Sequence, residues 1–309
     1  MWRRRYGTRV TQPFVPDTEH RSLTERLPQP LRDYALLARF DRPVGWQLLF
    51  WPCVWGVWLA GSGWQWTLLG WLLIGSIAMR GAGCVYNDIV DAKLDAQVTR
   101  TASRPLAAGR VSRMAAWVWL LMLSLIGLLV LLQLRWQAQA VALASLLLVA
   151  AYPFMKRITW WPQVWLGLVF GWGLLVGWTQ LRLDNWDALA FFYVGTVAWI
   201  VGYDTIYALQ DREDDALVGI RSSALRLGKR AQGGVAFFYL LALGGWAAGL
   251  WLYREDWVAL LALLPAAGHL LWQVASLEPE NGANALHRFR ANRWTGALIA
   301  AACLVVGNA

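Results

Sequence analysis

The sequence is short of charge. Only 15% of its 309 residues are Asp, Glu, Lys or Arg, while 58% are hydrophobic and the mean hydropathy is +0.40. A soluble domain carries about 25% charged residues. The deficit excludes an ordinary soluble chain and makes this a membrane protein. Cysteine is scarce as well. Cys53, Cys84 and Cys303 lie in or beside apolar runs, with neither a disulfide framework nor zinc spacing, and read as small core residues. His20, His269 and His287 are scattered and form no ligand set. The P-loop, the HExxH helix and the nucleophile elbow are all missing. So is the alternation of acids around a glycine that an EF-hand loop needs. Residues 1–30 have no apolar stretch fit for a signal peptide, and Asp17, Glu19 and Glu25 argue against a mitochondrial presequence. They read as a mobile cytoplasmic tail, in a chain suited to a bacterial inner membrane.

What is present is apolar and aromatic. The 23 Trp fit a chain that meets the lipid–water interface. A bilayer crossing needs about 20 apolar residues, and nine stretches qualify: 44–60, 66–86, 114–134, 137–155, 162–180, 187–205, 232–252, 257–277 and 291–308. Leu31 to Phe40 suits an amphipathic helix on the membrane surface. The net charge of +9 could suggest nucleic acid, but the basic residues fall in short inter-helix connections. The N-terminus and the connections after the even-numbered spans, counted with Arg293 at the start of the last span, hold 24 Lys and Arg, whereas the other connections hold only Arg135, Arg182 and Arg254. By the positive-inside rule the first group is cytoplasmic. Gly167, Gly171, Gly173 and Gly177 in the fifth span form two overlapping small-xxx-small frames for close helix packing.

Two acidic segments close apolar runs. The first is Asn87-Asp88-Ile89-Val90-Asp91-Ala92-Lys93-Leu94-Asp95; the second contains Asp204, Tyr207, Asp211 and Asp215. Asp91 and Asp95 are four residues apart, as are Asp211 and Asp215, and the two pairs are offset by 120 residues. Residues four apart share one helix face. Four spans separate the segments, an even number, so both reach the cytoplasmic side. The matched offset suggests a four-helix repeat, hence residues 31–309 as one domain of two four-helix halves plus a last helix. Clustered carboxylates repel one another and resist a low-dielectric setting. A hard divalent cation such as Mg²⁺ relieves that penalty and commonly bridges carboxylates to phosphates. Arg39, Arg42, Arg80, Arg100, Arg104, Lys156, Arg157 and Arg221 surround these segments, as an anionic ligand would require. The pattern points to a metal-diphosphate site at the mouth of a membrane bundle.

The first segment, with Arg100-Thr101-x-x-Arg104-Pro105 behind it, resembles the first signature of the intramembrane UbiA-type prenyltransferases. Asp204-x-x-Tyr207-x-x-x-Asp211-x-x-x-Asp215 resembles their second. The likeness runs from about Arg39 to the C-terminus. Arg39-x-Asp41-x-Pro43-x-Gly45 and Tyr152-Pro153-Phe154-Met155-Lys156-Arg157, followed by Trp161-Pro162-Gln163, are similar to the 4-hydroxybenzoate-using branch. Trp160 departs from that branch, whose members often carry a polar residue or histidine there.

The resemblance implies an all-α polytopic bundle of nine transmembrane helices around a central cavity, covered by cytoplasmic cap loops and open sideways to lipid. It implies Mg²⁺-dependent transfer of a polyprenyl group from polyprenyl diphosphate to the ring carbon ortho to the hydroxyl of 4-hydroxybenzoate, in ubiquinone biosynthesis, with no obligate protein partner. Carried over by position, Asn87, Asp91 and Asp211 are the nearest metal ligands, and Asp88, Asp95 and Asp215 complete the cluster. Arg80, Lys156, Arg157, Tyr152, Tyr207 and Arg42 serve the diphosphate. Arg39 serves either the benzoate carboxylate or the diphosphate, and Asp204 orients the acceptor or takes its proton. Other acceptors (homogentisate, a naphthoate, haem, chlorophyllide) remain alternatives. A CDP-alcohol phosphotransferase is disfavoured because its Asp-Gly-x-x-Ala-Arg signature is absent. A cation-coupled transporter is disfavoured because the acids lie at span ends instead of near the bilayer midplane.

Overall fold

The computed structural model describes residues 24, 26–29, 31–61, 63–97, 101–210, 212, 216 and 219–308. Asp211, Asp215 and Arg100 therefore lie outside the described residues, as does most of the 1–30 segment. The regular elements are all helical: α1 (Leu31–Leu37), α2 (Val44–Leu59), α3 (Trp66–Asp95), α4 (Arg113–Leu131), α5 (Trp136–Ile158), α6 (Pro162–Leu181), α7 (Trp186–Ala208), α8 (Ser223–Leu227), a 3₁₀ turn Gly228–Arg230, α9 (Ala231–Arg254), α10 (Trp257–Leu261), α11 (Leu264–Ala275) and α12 (Gly282–Asn308).

Each of the nine expected spans falls on a helix, with informative differences. α3 does not stop at 86. Its acidic tail contains no Pro or Gly, so the helix continues to Asp95 and carries the carboxylates on its own last turns. The eighth stretch divides into α10 and α11, and Pro265, which has no N–H to donate, sits in the first turn of α11. Among the described residues, seven helical stretches are long and apolar enough to cross a membrane, and α2 is a shorter apolar helix. α12 is not among the seven, because His287, Arg288, Arg290 and Arg293 occupy its first half. α1 packs through Leu37 and Ala38 on Val85 and Ile89 of α3, so the Leu31–Phe40 stretch caps the end of that helix.

Close approach is set by glycine. On α6, Gly167 and Gly171 face Val197 and Thr196 of α7, while Gly173 and Gly177 face Cys53 and Val57 of α2. The two small-residue frames thus serve two neighbours. Gly56 of α2 answers them, since a Cβ there would meet the Trp178 N at 2.8 Å. Trp55 fills the junction of α2, α7 and α9, with its ring 5.1 Å from Trp199 and 5.7 Å from Trp246. Buried indole N–H groups need partners where no water is available. Trp55 donates to Gly296 O at 2.9 Å and Trp199 to Asn292 Oδ1 at 2.8 Å. Asn292 continues into a buried amide pair with Gln273, which reaches Thr295 and Tyr239. His269 also bonds Thr295, so it serves packing. The three cysteines are buried and unbridged.

The bundle has two chemically distinct ends. Arg221, beyond α7, donates its backbone N–H to Lys156 O at 3.1 Å and its guanidinium to Ile158 O at 2.8 Å. Ser223 shares a 2.7 Å hydrogen bond with Thr205 of α7. The C-terminal ends of α3, α5 and α7 therefore meet. At the far end, Arg135 donates its backbone N–H to Gln180, Arg182 pairs with exposed Asp184 and donates to Tyr253, and Arg254 donates to Val306 O. The three basic residues expected on the opposite face are together there.

Candidate active site

Asp88, Asp91 and Asp95 follow one another at i, i+3 and i+7, which puts them on one stripe of α3. All three are buried, and each is matched to a cation. Arg39 grips Asp88 with both carboxylate oxygens at 2.9 Å from one guanidinium nitrogen. Its other terminal nitrogen donates to Leu36 O at 2.7 Å and Leu37 O at 3.4 Å. Arg39 sits at φ +58°, so its turn is strained for an L side chain, and these four hydrogen bonds hold it there. Burial lowers the Arg39 pKa, but the charge and hydrogen bonds of Asp88, together with Cys84 and Asp41, leave the guanidinium above its ordinary value. Arg104 spans two acids, 3.2 Å from Asp88 and 2.7 Å from Asp95. Asp91, which is 0% exposed, takes Lys156 on one oxygen and Arg157 on the other, the latter at 2.8 Å.

Below this layer lies a second one. Arg80, two turns before Asp88, bonds the Cys84 sulfur and lies 5.8 Å from the Phe170 ring centre. It interacts electrostatically with Asp204 of α7, and Tyr152 lies within reach of both. Tyr207 packs its ring 4.7 Å from Phe289 of α12. The fold thus brings Asp88, Asp91, Asp95, Arg39, Lys156 and Arg157 into one cluster, with Arg80, Asp204 and Tyr152 beneath. Asn87 is half-buried on the adjoining face of α3, and Arg42 lies 3.4 Å from Asp41 at the start of α2.

Sequence reasoning grouped Arg104 with the loose cations, but the structure makes it the bridge between Asp88 and Asp95. It also passed over Gln47 and Tyr203. The available signal was Gln47 itself, the lone amide in the apolar run 44–60. Among the described residues, no three His, Cys, Asp or Glu side chains converge on a metal position. The α3 donor atoms are nonetheless all hard oxygens, the chemistry that Mg²⁺ takes.

A helical membrane bundle with buried, ion-paired carboxylates at one end defines the class: an intramembrane protein built around a charged mouth. The chain belongs to the UbiA prenyltransferase family, whose pattern matches residues 49–301. It is 40% identical over 282 residues to the mitochondrial 4-hydroxybenzoate polyprenyltransferase of Drosophila pseudoobscura pseudoobscura, covering 90% of this chain and 71% of that one. Its fold matches the apo structure of a UbiA homolog from Aeropyrum pernix K1 with a TM-score of 0.70 and 24% identity, over 84% of this chain and 97% of that one. It also matches a UbiA homolog from Archaeoglobus fulgidus bound to GPP and Mg²⁺, with a TM-score of 0.67 and 16% identity, over 90% and 100%.

Proposed function

We propose that this protein transfers a polyprenyl group from polyprenyl diphosphate to the carbon ortho to the hydroxyl of 4-hydroxybenzoate, a step of ubiquinone biosynthesis. The observation that carries this reading is the buried, cation-matched carboxylate stripe of α3, in a chain 40% identical to a 4-hydroxybenzoate polyprenyltransferase. Asn87, Asp88, Asp91 and Asp95, with Asp211 and Asp215, are assigned to hold Mg²⁺. The fold neighbour from Archaeoglobus fulgidus, bound to GPP and Mg²⁺, supports the use of a divalent metal. When bound, Mg²⁺ supplies charge neutralisation to the departing diphosphate.

The remaining work falls to side chains. Lys156 and Arg157, now on Asp91, turn to the diphosphate oxygens, joined by Arg80, Arg42, Tyr152 and Tyr207. Arg39 keeps Asp88 aligned. The C–O bond to diphosphate breaks, the ring carbon bonds to the allylic carbon, and the ring proton leaves toward Asp204. An allylic cation must be kept from water and is stabilised by aromatic faces, which Tyr152, Tyr207 and Phe289 supply. The polyprenyl tail lies toward lipid. We assign the protein to an inner membrane with the site end cytoplasmic, as in a bacterial host; the fly relative is named as mitochondrial. The division into two four-helix halves plus a last helix is supported by matching pairs: α3 packs along α4 as α7 packs along α9.

The test is turnover. Purified protein, a polyprenyl diphosphate and a panel of aromatic acids should give a prenylated 4-hydroxybenzoate that disappears with EDTA. Transfer to a different acceptor would reassign the substrate, and turnover in EDTA would remove the metal.

A further inference from the structure

Native interiors leave few buried polar atoms without partners. Here four such atoms stand out: Gln47 Oε1, Trp51 Nε1, Arg80 Nε and Tyr203 OH are shielded from solvent with no hydrogen-bond partner. Another, Trp119 Nε1, lies apart, near Tyr34 on α1. The four are not scattered. Gln47 and Trp51 are one turn apart on the same face of α2. The Trp51 indole lies against Gly296 of α12, where a Cβ would meet Nε1 at 2.7 Å. Tyr203, 1% exposed on α7, packs 5.9 Å from Phe289 of α12. Phe289 and Gly296 are seven residues apart, so they share a face about 10 Å apart. Arg80 reaches α2 from α3, where a Cβ on Gly45 would meet its Nε at 2.9 Å, and it interacts electrostatically with Tyr203.

Three of these atoms donate and one accepts. A hydroxylated aromatic carboxylate is the complement: its carboxylate and phenolic oxygens accept, and its phenolic hydrogen donates to Gln47 Oε1. We propose that Gln47, Trp51, Tyr203 and the Nε of Arg80, whose terminal nitrogens are left to the diphosphate, form the seat of the aromatic acceptor, beneath the ion-paired layer of α3. This rests on the prenyl-transfer reading above and assigns its second substrate to particular atoms. Residue 296 of α12 is Gly, and the missing side chain leaves room for the Trp51 indole against that helix.

The experiment uses the full chain in nanodiscs and three near-isosteric variants, Gln47→Leu, Trp51→Phe and Tyr203→Phe. Binding of 4-hydroxybenzoate is measured directly, and KM is measured separately for the acid and for the polyprenyl diphosphate. Each variant should weaken the acid roughly 10- to 100-fold, the range for one lost hydrogen bond to a charged or polar ligand, and leave the diphosphate KM unchanged. Gln47→Leu should weaken 4-hydroxybenzoate but not benzoate, which lacks the hydroxyl. Acid affinity unchanged in all three variants overturns the seat while leaving the transferase reading intact. A parallel rise in both KM values also overturns it, because that marks a structural role. If the parent protein binds the acid through these residues but transfers nothing, the seat stands and the transferase reading fails.

Discussion

Replacing Arg39 by Ala removes a defined piece of the charged layer, and its cost can be worked out. Asp88 loses two hydrogen bonds of 2.9 Å to a guanidinium whose side chain is 10% exposed, while its own is 3% exposed. Stripping a buried charge of its partner costs about 3–5 kcal/mol. Arg104 remains at 3.2 Å, although it is shared with Asp95, so the loss should fall at the low end, about 3 kcal/mol. A second variant separates side chain from backbone. Because Arg39 sits at φ +58°, Arg39→Gly should be about 1 kcal/mol more stable than Arg39→Ala. The assay is equilibrium unfolding in mixed micelles on a cycle of Arg39→Ala, Asp88→Asn and the double variant. A coupling energy of about 2 kcal/mol is expected, and a value within about 0.5 kcal/mol of zero refutes the pairing. If the variant instead raised the KM for the aromatic acid with no loss of stability, Arg39 would belong to the acceptor.

Asp91→Asn should abolish turnover while the protein stays folded, because Asp91 is assigned to the metal and its two cations, Lys156 and Arg157, are partly exposed and can turn to solvent; near-normal turnover would remove Asp91 from the metal set. Gly177→Val should sharply lower thermal stability, since a Cβ there would meet the Val57 N at 3.0 Å across α2 and α6; an unchanged melting temperature would contradict that contact. Cysteines placed at 104–110 and 221–230 should react with an impermeant thiol reagent from one side, and cysteines at 183–185 and 255–256 from the other. Asp184 is held below the usual carboxylate range by its hydrogen bond to Arg182. A depressed carboxylate stabilises the fold above its unfolded value near 4 and loses that contribution as pH falls through its folded value. The stability gap between the parent and Asp184→Asn should therefore close in acid, and a gap that persists there would count against the pair.

Local patterns were legible because they repeat at the period of a helix. The spans, the glycine frames of α6 and the stripe Asp88-Asp91-Asp95 all depend on spacing along one element, and spacing is written in the chain. Partner choice is not. Arg39 reaches Asp88 across 49 residues, and Lys156 reaches Asp91 across 65, so the pairs follow from how α3 leans on α1 and α5. Arg104 looked like one cation among many until the fold placed it between two acids. The break between α10 and α11 was signalled by Pro265, yet hydropathy averages over such a residue and reads one span. α12 shows the opposite limit. Its basic first half shortens the apolar run to 291–308, although its Gly296 and Gly307 faces pack along α2 as closely as any span.

On the proposed function, the charged layer is a site awaiting an anion. Among the described residues, Asp88, Asp91 and Asp95 face Arg39, Arg104, Lys156 and Arg157. The cations differ in how firmly they are held: the Lys156 and Arg157 side chains on Asp91 are 23% and 48% exposed, against 10% for Arg39. The more exposed pair can swing to an incoming phosphate without opening the core, whereas Arg39 cannot leave Asp88 without abandoning a strained turn. Half of the layer is therefore fixed and half exchangeable. An anion that brings its own divalent cation replaces existing ion pairs instead of adding uncompensated charge, and this is why the carboxylates can be buried before it arrives.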